Sequence, residues 1–334
     1  MNGSQGKSEI LSDIGEFGLI QRIEQILGPS SSAVSVGLGD DAATVFPPSA
    51  PLVVTTDAMV EGVHFRQEWT SPGDLAHKAL ASNLSDLAAK CARPAFYLIV
   101  LGLPPDVETA WVEDFYRALA RLREEWDFEL IGGDTVRSTV RFLSIAAWGT
   151  QTTPRPIALS GAQPGDRIFV TGFPGDAAAG LEILLHGKTI PENETESELV
   201  RRFLRPTPRI KEALAIAQRI LPHSMTDISD GLARDLPKLC AASGVGAKID
   251  AARLPCSESL RRFAGDRAAE YVWKGGEDYE LLFTLSASDA EKLTQEWTLD
   301  CPLREIGEAA ARENGIEIAG FPQGIPIGFD HFRE

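Results

Sequence analysis

The stretch DLAHKALASNLSDLAAK, residues 74–90, runs directly into FYLIVLGL, residues 96–103, and the two together decide the fold class. In the first, apolar residues recur at three- and four-residue spacing, the period of a helix with one buried face; the second is an apolar run of strand length. Ser71-Pro72-Gly73-Asp74 supplies the turn and N-cap that start the helix. The same alternation continues outward. Further strand-length runs lie at Leu52–Thr56, Phe128–Ile131, Phe142–Trp148, Arg167–Thr171 and Glu280–Thr284. Helical patterns fill Val107–Trp126, Asp176–His186, Pro208–Ile220 and Leu232–Ser243. Such a mixture predicts an α/β (α+β) protein.

The chain has 334 residues, enough for two cores, and the polar, two-proline run Thr150-Gln151-Thr152-Thr153-Pro154-Arg155-Pro156 marks a boundary between domains 1–150 and 151–334. A net charge of −16 disfavours nucleic acid and anionic membrane as partners. Four scattered cysteines form no CxxC pair, and the chain shows neither an apolar leader nor a membrane-length apolar run. A soluble, cytoplasmic protein is expected.

Asp86 stands on the 74–90 helix beside Leu84, Leu87 and Ala88, where an unpaired carboxylate is costly. It meets either a cation or a buried amide. Five other segments put carboxylates beside glycine or hydroxyl residues: Gly37-Leu38-Gly39-Asp40-Asp41, Thr55-Thr56-Asp57, Gly132-Gly133-Asp134, Asp227-Ile228-Ser229-Asp230-Gly231 and Gly275-Gly276-Glu277-Asp278. Each alone reads as a turn or helix cap, and Ser229 or one of its flanking aspartates could cap the helix from Leu232. Together they suit hard divalent cations and phosphate. Gly37–Ala42 also fits the relaxed dinucleotide fingerprint, but Asp40 and Asp41 would repel a pyrophosphate and Pro47-Pro48 stops a following helix. Gly187-Lys188-Thr189 lacks the upstream glycine of a P-loop, Asn193-Glu194-Thr195 reads as a chance sequon, and no arrangement for covalent catalysis is present.

Taken with Gly62-Val63-His64-Phe65, Lys78–Ala88, Ile131–Thr135, Asp227–Leu232, Gly275–Leu281 and Gly328-Phe329-Asp330-His331-Phe332, these segments resemble, in order, the thiamine-monophosphate kinase family of the aminoimidazole-ribonucleotide-synthetase-like ATP-binding superfamily. The resemblance implies that superfamily's two-domain fold: an N-terminal ATP- and Mg-binding α/β domain whose sheet pairs in a homodimer, and a C-terminal α/β domain closing over nucleotide and substrate. It implies direct in-line transfer of the γ-phosphoryl of ATP, as co-substrate, to thiamine monophosphate, assisted by several Mg2+ ions. The implied Mg2+ ligands are Asp41, Thr55, Thr56, Asp57, Asp86, Asp134, Asp227 and Asp230, of which Asp57, Asp134 and Asp230 are the expected catalytic residues. Tyr116, Gly133, Arg155 and Ser229 look like nucleotide contacts; His64, Glu277 and Phe329 look like contacts to thiamine monophosphate. In this pattern Lys90-Cys91 replaces a frequent Met-Gly pair beyond the ligands, and Phe329 replaces Tyr or Trp. Metal ions stand where a lysine clamp would be, and a shared site would lie where the two domains face each other. Residues before the family-like start, roughly the first ten, read as a disordered tail. Relatives such as selenophosphate synthetase lose ground because no cysteine precedes Cys91.

Overall fold

A computed structural model describes residues 8–39, 42–46, 49–187 and 191–321. The chain divides into two compact units, Met1–Asn83 with Pro94–Gly149, and Leu84–Arg93 with Thr150–Glu334. The division thus crosses at residue 150, as the proline-rich run does, but it also passes inside the 74–90 helix, assigning Asp86 to the second unit.

In the first unit α1 (Leu11–Leu27) precedes a short antiparallel pair, β1 (Val34–Val36) and β2 (Thr44–Val45). Glu9 and Ile10 are not a free tail: Thr109 donates its amide to the Glu9 carbonyl and Leu11 donates to that of Val107. Then come β3 (Leu52–Val60), α2 (Pro72–Ala88), β4 (Ala92–Leu103), α3 (Thr109–Trp126), β5 (Glu129–Arg137) and β6 (Phe142–Gln151). The four long strands form a sheet in the order β3-β6-β4-β5, with β4 and β5 parallel. Helix α3 buries Val112, Phe115, Tyr116, Leu119 and Leu122, a stripe at three- and four-residue spacing. Strand alternation buries Leu143, Ile145 and Ala147 on β6, and Ile99 and Leu101 on β4. The opposite rows hold Leu52, Val54, Val100 and Val136, all exposed.

The second unit contains β7 (Arg167–Thr171), α4 (Asp176–Leu185), α5 (Glu194–Leu204), α6 (Ile210–Arg219), β8 (Ser224–Ile228), α7 (Leu232–Ser243) and β9 (Gly246–Asp250). After these come α8 (Glu258–Ala264), α9 (Ala268–Lys274), β10 (Glu280–Leu285), α10 (Ala287–Glu296), β11 (Leu303–Ala310) and β12 (Ile316–Ala319). Its six-stranded sheet runs β12-β9-β11-β7-β10-β8, which leaves β8 at an edge. All six residues of β10 are buried, Glu280 and Thr284 included, in keeping with its place between β7 and β8. Ala88, Ala89 and Cys91 at the end of α2 pack in the same core as Phe169, Met225, Leu281 and Phe283.

Candidate active site

In the second unit, edge strand β8 carries Asp227, and the turn behind it carries Ser229 and Asp230. Asp227 is 8 % exposed, and the Ser85 hydroxyl donates to its Oδ2 at 2.7 Å. Burial first, then the neighbouring Asp86 carboxylate, pushes the Asp227 pKa up to about 7. Asp227 and Asp86, both among the implied Mg2+ ligands, are therefore electrostatic neighbours. The turn itself is not capped by Ser229 or Asp230. Asp235, one helical turn into α7, accepts the amides of Ser229 (3.1 Å) and Asp230 (3.0 Å) through Oδ2. This releases both turn side chains from capping, although Asp230 gains an ion pair with Lys238 at 2.6 Å.

The segment Gly275–Tyr279 lies directly against that turn: Glu277 donates its amide to the Ser229 carbonyl at 2.8 Å and Tyr279 donates to that of Ile228 at 2.9 Å. A Cβ on Gly276 would lie 2.6 Å from the Ser229 carbonyl oxygen, so only glycine permits this approach. Glu277 and Tyr279 both have positive φ, 68° and 55°, a conformation that non-glycine residues hold at a cost of about 1–3 kcal/mol and that clusters at functional sites. Asp278 between them is buried and accepts the amides of Gly175 (2.7 Å) and Ala177 (3.0 Å), capping α4 from outside the helix. Its role is structural. Half-buried Glu277 receives the Tyr279 hydroxyl at 3.4 Å. Arg155 is exposed, and its carbonyl accepts the Thr153 hydroxyl.

In the first unit, alternation along β3 places Thr55 and Asp57 on the row of buried Met59, with Thr56 on the row of exposed Val54. The Thr56 hydroxyl donates to the Ile145 carbonyl at 2.8 Å, and Asp57 Oδ1 accepts the Ala58 amide at 3.1 Å. Asp134 is exposed on β5, in register with Val100. Its neighbour Gly133 has no room for a side chain, because a Cβ would stand 2.0 Å from the Ile99 carbonyl oxygen. His64 Nδ1 accepts the Val60 amide at 3.1 Å, which leaves the ring proton on Nε2 as the donor. Tyr116 is 3 % exposed and packs edge-on against Phe115; burial raises its pKa. Asp41 and Phe329 lie outside the described residues.

Among the described residues no three His, Cys, Asp or Glu side chains converge as a ready-made metal cage. The donor chemistry nevertheless fits Mg2+: hydroxyl and carboxylate oxygens, with two aspartates brought together at a burial cost that a dication would relieve. Ser85 stands beside Asp86 in the sequence and is found with it; Asp235 carries no motif signal, because it acts on the Ser229–Asp230 turn from one helical turn into α7.

Two family models cover most of the chain: AIR synthase related protein, N-terminal domain, over residues 39–151, and its C-terminal domain over residues 163–319. The thiamine-monophosphate kinase of Escherichia coli strain K12 is 41 % identical over 326 residues, covering 95 % of this chain and 98 % of the relative. The chain belongs to the thiamine-monophosphate kinase family. A crystal structure of the family's enzyme from Stenotrophomonas maltophilia K279a superposes with a TM-score of 0.81 at 39 % identity, covering 92 % of this chain and 97 % of that one. A structure described as AaThiL complexed with AMPPCP and TMP matches at 36 % identity and TM-score 0.77, covering 98 % and 100 %. This kinase family therefore accounts for both units, and no helix in the described residues is long and apolar enough to cross a membrane.

Proposed function

We propose that this chain is an ATP-dependent thiamine-monophosphate kinase, transferring the γ-phosphoryl of ATP in line to the phosphate of thiamine monophosphate and releasing thiamine diphosphate and ADP. The observation that carries the reading is end-to-end correspondence with a relative solved with AMPPCP and TMP, at 36 % identity over 98 % of this chain. Asp41, Thr55, Thr56, Asp57, Asp86, Asp134, Asp227 and Asp230 are the residues that would hold Mg2+, several ions in all. Bound there, the ions would neutralise phosphate charge during transfer.

The protein's own groups do the rest. His64, with its proton on Nε2, donates to a phosphate oxygen of the acceptor. Glu277 offers a carboxylate to the thiazolium cation, and its strained backbone fixes its direction against the Ser229 turn that serves the nucleotide. Arg155 and Tyr116 contribute to the ATP side, Gly133 lets the backbone approach closely, and Phe329 supplies a stacking face to the substrate. A general base is unnecessary, because the attacking oxygen belongs to an already ionised phosphate. The N-terminal domain, 1–150, is assigned to ATP, Mg2+ and dimerisation, and the C-terminal domain, 151–334, to closing over nucleotide and substrate. The exposed apolar row of Leu52, Val54, Val100 and Val136 supports a homodimer through the first sheet. The enzyme works in the cytoplasm, where ATP and Mg2+ are supplied.

Purified chain offered ATP, Mg2+ and, in parallel, thiamine monophosphate, thiamine or an aminoimidazole precursor will phosphorylate only the first. Asp57→Asn and Asp134→Asn will lower kcat by on the order of a hundredfold or more with the fold intact by circular dichroism. Protein that binds ATP and Mg2+ but forms no thiamine diphosphate refutes the assignment.

A further inference from the structure

The end of α2 presents a cation to the carboxylate pair. Cys91 adopts a left-handed conformation, φ 50°, at the helix C-terminus, where glycine is the usual residue. Its amide donates to the Ala88 carbonyl at 2.8 Å, and its own carbonyl accepts the Thr152 hydroxyl. With Ala89 and Cys91 both buried in the core beside Met225, Lys90 between them has little freedom of placement. Its Nζ donates to the Met225 carbonyl at 3.2 Å. That carbonyl faces outward from edge strand β8, as does the Met225 amide, which donates to Ala158 at 3.0 Å. Asp227 follows two residues later on the same strand, so its side chain projects to the same face as that of Met225. Ser85, which holds Asp227 Oδ2, lies one helical turn before Ala89 and immediately before Asp86. Burial works against the Lys90 charge, and the carboxylates of Asp227 and Asp86 work in its favour.

We propose that Lys90 is the resident cation of the Asp86–Asp227 pair: anchored on the Met225 carbonyl two residues from Asp227, its ammonium holds the two carboxylates together in the metal-free protein and weakens their grip on a divalent ion. The proposal rests on the reading that this pair takes Mg2+. A fixed positive charge beside buried Asp227 and half-buried Asp86 offsets the repulsion between the two carboxylates, and the same charge opposes an arriving dication. The consequence is a site that stays assembled without metal and exchanges its ion readily. Capping the carbonyl of an edge strand, and favouring the negative end of the α2 dipole, need only a donor or a charge at the helix end. Neither would alter ion affinity.

The test is Mn2+ binding to the full chain, titrated without nucleotide and read by the electron paramagnetic resonance of free Mn2+, alongside the melting temperature with and without the ion. Lys90→Gln keeps a donor for the Met225 carbonyl and removes the charge; Lys90→Arg keeps the charge. Expected are roughly tenfold tighter Mn2+ binding in Lys90→Gln, a lower metal-free melting temperature restored by Mn2+, and near-parental behaviour in Lys90→Arg. Lys90→Met gives the same comparison where Lys90→Gln fails to fold. Mn2+ affinity equal within twofold in the parent and the neutral variants overturns the proposal, provided Asp227→Asn weakens binding. If Asp227→Asn binds Mn2+ as the parent does, the pair is not a metal site, and the underlying reading falls with the proposal.

Discussion

Asp176 opens α4, is 1 % exposed, and should cost the protein stability at neutral pH. The Ser257 hydroxyl donates to its Oδ1 at 2.7 Å, while Oδ2 is buried with no hydrogen-bond partner among the described residues. Burial raises its pKa to about 6; Ser257 and Arg202 pull the other way, and Glu198 and Glu280 add to the rise. Against an unfolded value near 3.8, a shift of about two units corresponds to ~3 kcal/mol. The first turn of a helix favours a carboxylate by up to ~1 kcal/mol, leaving a net cost of ~2 kcal/mol.

The sign follows from proton counting. Between pH 3.8 and about 6 the folded protein binds more protons at this site than the unfolded chain, so stability falls as pH rises through that window. The carboxyl's favourable contribution is complete below the window and lost above it. Asp176→Asn keeps an acceptor for Ser257 and removes the titration. Relative to the parent it should gain about 1 kcal/mol between pH 5 and pH 7.5, or ~0.5 M in urea midpoint for a slope near 2 kcal/mol/M. Hydrogen exchange of α4 peptides during urea titration isolates this unit from the rest of the chain. A difference between the two proteins that does not change with pH, or that shrinks as pH rises, refutes the reasoning.

Gly133→Ala places a methyl 2.0 Å from the Ile99 carbonyl oxygen on the adjacent strand, so it should destabilise by ~1–3 kcal/mol and displace the backbone that carries Asp134. Thermal melting and kcat should fall together, and an unaffected kcat would mean that Asp134 does not depend on this contact. Glu280→Gln removes the carboxylate that Arg209 grips at 2.6 Å through Nε and 2.5 Å through Nη2 and leaves this buried cation with the more distant Glu212, 3.8 Å from Nη1; a loss of ~2–3 kcal/mol in urea unfolding is expected, below the ~3–5 kcal/mol of a buried charge left wholly unpaired. A loss under 1 kcal/mol would place the pair in effective contact with water.

Elements with a full period were readable from the sequence. Helices α2, α3, α4, α6 and α7 and strands β3 to β7 and β10 stand where spacing placed them, because each buries one face or both. The failures have local causes. Helix α5 has no counterpart among the expected elements although Asn193 is its N-cap and accepts the Glu196 amide at 2.9 Å, a role compatible with Asn193-Glu194-Thr195 being a chance sequon. Strand β8, Ser-Met-Thr-Asp-Ile, puts polar residues where a buried strand normally has apolar ones. Rejecting the dinucleotide fingerprint agrees with the fold: β1 pairs antiparallel with β2, and among the described residues no helix stands between them. Motifs singled out the carboxylates proposed for metal, but not the groups that hold them. Those partners come from residues far apart in sequence, as Ser85 and Asp227 do.

The surplus of acidic residues is resolved by asking what each buried carboxylate faces. Asp278 faces two backbone amides, Asp235 two amides and Lys238, and Glu280 a bidentate arginine with the Thr171 hydroxyl. Each set satisfies the oxygens with donors that the fold itself fixes, so each is explained by structure alone. Asp227 differs in kind. Its environment offers the Ser85 hydroxyl, its own backbone amide and, as its strongest charged neighbour, another carboxylate. Two like charges placed together with little water to screen them do not by themselves favour folding, so the pair calls for an opposite charge, which Lys90 supplies in the metal-free protein as proposed above. In a chain of net charge −16 that reacts two anions with each other, a cation is the binding partner that also makes the chemistry possible.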